Sequence, residues 1–220
     1  MWHYLTNLSL GDICEILTFI GFIIFLFRRF VLKKMPVPTG AHGKINREEI
    51  DESLALLKKK FPYARPVYYM PEDLERRLSG NLTDPDLLKE LLCDITKYMG
   101  IDGSYIKLVL TDDETKAYAG NIHTNGAFTT IRLQVHSYYN LDVLTAVLAH
   151  EVMHLFLFYN GVSKRDALEN EVFTDTAAVY FGFGEYLKKG YRVIETSLGF
   201  SYHKVGYIRT EDVEYILKQI

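Results

Sequence analysis

Leu141 to Tyr159 reads LDVLTAVLAHEVMHLFLFY. Ala146, Val147, Leu148, Ala149, Val152, Met153, Leu155, Phe156, Leu157 and Phe158 make it apolar on nearly every side of a helical wheel, and a helix of that kind is buried. Asn140 is placed to cap its start and Gly161 to stop it. Inside it lie His150, Glu151 and His154. Histidines four apart project from one face of a helix. Polar groups in an apolar helix are costly unless something satisfies them, and a metal ion does so. Glu151 is offset by one position, so it reaches a water on the metal without being a ligand. With this chain's His and Glu frequencies, chance would produce such a pattern with a probability of roughly 1–2%.

A catalytic metal site needs a third protein ligand and an open position. The periodicity downstream predicts a helix from about Arg165 to Leu187, able to pack back antiparallel past the Gly161 turn. On it, Glu171 is the expected third ligand, with Glu169 and Asp175 as alternatives. The runs Glu171-Val172-Phe173 and Ala177-Ala178-Val179 favour an inward face. Asp175 shares that face four residues on, where it is placed to accept the second ring N–H of a histidine ligand.

The pair of motifs, His150-Glu-x-x-His154 then Glu171-x-x-x-Asp175, resembles the gluzincin metallopeptidases. Asn170-Glu171-Val172-Phe173-Thr174-Asp175 is similar to the Asn-Glu-x-x-x-Asp motif of thermolysin-like enzymes. Glu171-x-x-x-Asp175-x-x-Ala178 equally resembles the HtpX and CAAX prenyl protease group. The resemblance covers about residues 104–187. It implies Zn2+ held by His150, His154 and Glu171, with Glu151 as general base and Asp175 behind the ligands. HtpX-type enzymes carry several membrane helices, whereas at most one is legible here.

Upstream, Asn46 and Glu49 open a helix that Pro62 ends, Pro71 opens a short one, and Asp84-Pro85 starts another that runs to Gly100. Tyr105–Leu110 reads as a strand, and Lys116–His123 with Ala127–Val135 as a hairpin turning near Asn125-Gly126. Thr210 is placed to cap a last helix. Helices, then a small sheet, then helices suit an α+β class; the resemblance implies a zincin-like domain with a small sheet and an active-site helix. In such a domain the strand segment Ala119, Gly120 and Asn121, after Tyr118, is the expected edge to which a peptide adds. His203, with Tyr202 as second choice, is the expected donor to the oxygen that becomes negative in hydrolysis. His123 and His136 read as structural. No chemistry is legible in the tail around Gly206-Tyr207-Ile208.

Ile16–Phe27 is apolar apart from Thr18, and Arg28, Arg29, Lys33 and Lys34 follow it. Extended over residues 13–32, the run reaches the roughly 20 residues of a spanning helix. Residues 1–12 hold no Lys or Arg, and nothing resembling Ala-x-Ala follows, which argues against a cleaved signal. The basic cluster places the C-terminal side in the cytoplasm. The expected organisation is therefore a membrane anchor over residues 1–35, a Pro/Gly-containing linker over 36–44, and a metallopeptidase domain over 45–220.

The 220 residues, 48% hydrophobic and 24% charged, give a globular chain, and a net charge of −3 argues against nucleic acid as a partner. Cys14 and Cys93 form no metal or redox motif. The sequence thus predicts a single-pass membrane zinc endopeptidase whose partners are a peptide or protein substrate and the lipid bilayer. The alternative is a catalytically latent or inactive zinc-binding interaction module tethered to the membrane; a latent or highly selective peptidase would instead be held inactive by a covering segment over residues 36–80. A zinc hydrolase of a non-peptide bond is a third reading.

Overall fold

A computed structural model describes residues 47–113, 118–125, 128–191, 194–195, 202–203 and 205–220. The expected anchor at Ile16–Phe27, the linker and the Asn46 cap lie outside the described residues.

Three helices come first: α1 (Arg47–Lys60), α2 (Glu72–Gly80) and α3 (Pro85–Tyr98). The α3 start follows from its sequence: the Asp84 carboxylate accepts from the backbone N–H groups of Asp86 and Leu87, and Pro85 takes the first turn, where no N–H is needed. A short 3₁₀ turn, Gly103–Tyr105, leads into β1 (Ile106–Thr111). Tyr105 therefore belongs to the turn rather than to the strand.

The hairpin is formed by β2 (Gly120–Asn125) and β3 (Phe128–Gln134); Lys116, the expected start of the first arm, lies outside the described residues. The sheet order is β1-β3-β2, with β1 parallel and β2 antiparallel to β3. Ile131 and Leu133 of the middle strand are fully buried. In β2, among the described residues, only one side is paired. Gln134 N–H donates to the Ala119 carbonyl at 2.8 Å, which fixes the alternation of that ladder. Gly120, Ile122 and Thr124 consequently turn their backbone groups toward the open edge.

The central helix α4 (Leu141–Tyr159) is capped by the Asn140 side chain on Val143 N–H and closed at Gly161, whose φ of +64° suits glycine. It is the one helix among the described residues long and apolar enough to cross a membrane, and 72% of its apolar window is buried within the fold. It serves as the core of the domain.

The expected helix over 165–187 is broken in two. Asp166 caps α5 (Ala167–Ala178), a π-type turn spans Val179–Phe183, and α6 (Gly184–Gly190) resumes. The break sits at Gly182, with φ +97°, a value side-chain-bearing residues rarely adopt. Tyr68 N–H donates to the Gly182 carbonyl, and a Cβ at Gly182 would stand 2.1 Å from the Pro66 carbonyl oxygen. An incoming strap at residues 66–68 thus replaces helical bonding there. The pair α5–α6 still runs antiparallel to α4. Glu171 lies opposite His154, while Gly190 lies against Asp142 and Ala146.

A two-residue ladder pairs β4 (Ile194–Glu195) with β5 (Tyr202–His203), and α7 (Thr210–Leu217) ends the chain. Its cap is Arg209 rather than Thr210, because Asp212 reaches back to the Arg209 N–H and guanidinium.

Candidate metal centre

Helices α4 and α5 bring three ligand-type atoms to one point. His150 Nε2 lies 3.0 Å from His154 Nε2 and 3.0 Å from Glu171 Oε2, and His154 Nε2 lies 3.2 Å from the same oxygen. These three residues form a group able to hold a metal ion. The spacing fits one: with bonds of about 2.0–2.1 Å around a tetrahedral ion, neighbouring ligand atoms stand about 3.4 Å apart.

The outward hydrogen bonds explain why a cation belongs there. The Thr174 hydroxyl gives its only hydrogen to the Asn170 carbonyl at 2.8 Å, so at 3.2 Å it accepts from His154 Nδ1–H. His150 Nδ1–H donates to Asp175 Oδ1 at 2.7 Å. Both rings therefore present Nε2 lone pairs toward each other and toward a carboxylate. Three converging lone pairs repel unless a positive charge lies between them. In their absence of a metal, a proton would do part of this: burial alone would lower the His150 pKa, but Asp175 and Glu171 outweigh it and raise it well above the ordinary imidazole range. Burial likewise pushes Glu171 up, yet the two histidines hold its carboxyl far below the usual range.

Asp175 is fully buried and has four donors. Besides His150, the Tyr191 hydroxyl reaches Oδ1 at 2.5 Å, and the backbone N–H groups of Tyr207 and Ile208 reach Oδ2 at 2.7 and 3.2 Å. A carboxylate removed from water needs such partners. The tail that showed no chemistry in the sequence is thus part of the site. Gly206, with φ +80°, allows its approach; a Cβ there would collide with the Tyr191 ring.

Glu151 is buried beside the cluster, and burial raises its pKa most, against the lowering effect of the two histidines. It has no hydrogen-bond partner among the described residues. The β2 edge crosses directly over it: a Cβ on Gly120 would lie 2.6 Å from Glu151 Oε1 and 2.5 Å from Val147 Cγ1. Glycine is what lets the strand come so close, and Ala119 and Asn121 flank that point.

Of the other expected residues, Glu169 is exposed, and Asp175 serves behind the ligands, so neither displaces Glu171 from the cluster. His123 is exposed on β2, while His136 is buried, bonded to Asp112 at 2.9 Å and stacked on Tyr138. His203 and Tyr202 pair through their backbone with Ile194 and Glu195, and their side chains lie outside the described residues. The residues that sequence reasoning missed are Thr174, Tyr191 and Tyr207. Thr174 alone carried a signal, one position before Asp175 on the motif helix.

No family model matches the chain, and no curated protein and no solved structure matches it significantly. The cluster is compatible with a zincin-type motif on the strength of its own residues.

Proposed function

We propose that the chain is a membrane-anchored, zinc-dependent endopeptidase of gluzincin type, with its domain on the cytoplasmic side. His150, His154 and Glu171 would hold the zinc ion, and the ion would supply Lewis acidity and a water of lowered pKa. Glu151 would serve as general base, taking a proton from the attacking water and delivering it to the leaving amine. Asp175 and Thr174 fix the ring orientation of the two histidines. The open β2 edge at Ala119, Gly120 and Asn121 aligns a peptide as an added strand over Glu151. The lipid bilayer enters through the apolar run at Ile16–Phe27.

The observation that carries this reading is Glu151. A purely structural metal site has no use for a buried carboxylate beside the ligands with no hydrogen-bond partner among the described residues and an unpaired strand edge above it. The test is metal analysis and cleavage profiling of the full chain in detergent, using proteome-derived peptides, for wild type and Glu151→Gln. Wild type is expected to hold one zinc per chain and to cleave. Glu151→Gln is expected to keep the zinc and lose about 10²–10⁴-fold in rate. Absence of stoichiometric metal would overturn the reading. Bound metal with identical profiles would leave the tethered binding module as the function.

A further inference from the structure

Hydrolysis of an amide builds negative charge on the carbonyl oxygen, and a donor aimed at that oxygen lowers the barrier. Most donors around the cluster are already engaged. The imidazole Nδ1–H groups serve Asp175 and Thr174, the Tyr191 hydroxyl serves Asp175, and the Thr174 hydroxyl serves Asn170. Glu151 and Glu171 offer acceptors only.

Tyr207 differs from these. Its backbone N–H is clamped on Asp175, and its ring stacks over His150 with centroids 5.7 Å apart and planes 22° apart. Its hydroxyl has no hydrogen-bond partner among the described residues. The chain on either side of Tyr207 is anchored by Val205 and Ile208, which are buried. An ordinary phenol keeps its proton at neutral pH, so this hydroxyl is available as a donor.

We propose that the Tyr207 hydroxyl is a catalytic hydrogen-bond donor that binds the substrate's carbonyl oxygen as negative charge builds there, a role that rests on the peptidase reading. Tyr207 donates without giving up its proton. The assignment puts this role on the tail that also clamps Asp175, so docking of the tail completes both the ligand support and the donor.

The test uses the zinc-loaded full chain in detergent and acetohydroxamate, whose carbonyl oxygen stands in for that of a substrate without requiring a peptide sequence. Tyr207→Phe keeps the stacked ring and the backbone amide. It is expected to retain zinc and to bind acetohydroxamate about tenfold or more weakly by calorimetry, the worth of a hydrogen bond to a charged group. On a peptide that wild type cleaves, kcat is expected to fall about 10²–10³-fold with little change in KM. Equal acetohydroxamate affinity in the two proteins would overturn the proposal. So would loss of zinc from Tyr207→Phe, which would place the phenol in support of the site. A zinc-free wild type would overturn the peptidase reading and this role with it.

Discussion

His150 and His154 stand one turn apart on the same helix and face the same point, yet the molecule holds them very differently. The inner half of the site surrounds His150, whose side chain is 8% exposed, with Asp175, Tyr191 and the amides of Tyr207 and Ile208. Those groups come from three separated stretches of chain. The outer half holds His154, 18% exposed, through Thr174 and its bond to Asn170. Those groups belong to one turn of a single neighbouring helix. The inner half therefore ties metal binding to completion of the whole fold, and the outer half is a local contact. Glu171 joins the two halves, since one oxygen faces both rings.

This asymmetry sets an order of effects. Glu171→Ala removes the shared ligand. Zinc affinity, measured by chelator competition, is expected to fall by more than the about 100-fold that marks the upper range for loss of an outer partner. Asp175→Asn strikes the inner half and is expected to cost about 10–100-fold in zinc affinity, and also to lower the melting temperature, because a carboxylate with four donors is replaced by a group that cannot accept from all of them.

Acidity probes the same half. The raised His150 pKa means that the metal-free domain carries a proton there, and that proton's contribution to stability is full below the unfolded-state imidazole value of about 6.5 and lost as pH rises through the higher folded value. Zinc must displace it. Proton release on zinc binding should appear in calorimetry across buffers of different ionisation enthalpy, with affinity rising by up to about tenfold per pH unit near neutrality. Thr174→Val touches only the outer half. It is expected to weaken zinc binding by no more than about tenfold, in line with one neutral hydrogen bond. A Thr174→Val loss as large as that of Asp175→Asn would erase the distinction between the halves.

The two motif helices illustrate how far a sequence reaches. The α4 boundaries, both histidines and Glu151 were legible because helical period, cap and stop residues are local. Glu171 and Asp175 were legible because a four-residue spacing on an apolar helix fixes a shared face. The break at Gly182 was not, since a glycine within a helix costs only about 1 kcal/mol, and nothing local announces that the strap at Pro66–Tyr68 will bond to it.

By itself, then, the sequence determined the helix carrying His150, Glu151 and His154, the acidic pair facing it, and the α+β order of elements. Tertiary structure alone decided that Asp175 is shared by Tyr191 and the tail amides, that Gly120 lies over Glu151, and that Tyr207 stacks on His150. Those contacts join residues from 16 to more than 50 positions apart, and they depend on how surfaces pack rather than on any repeating pattern.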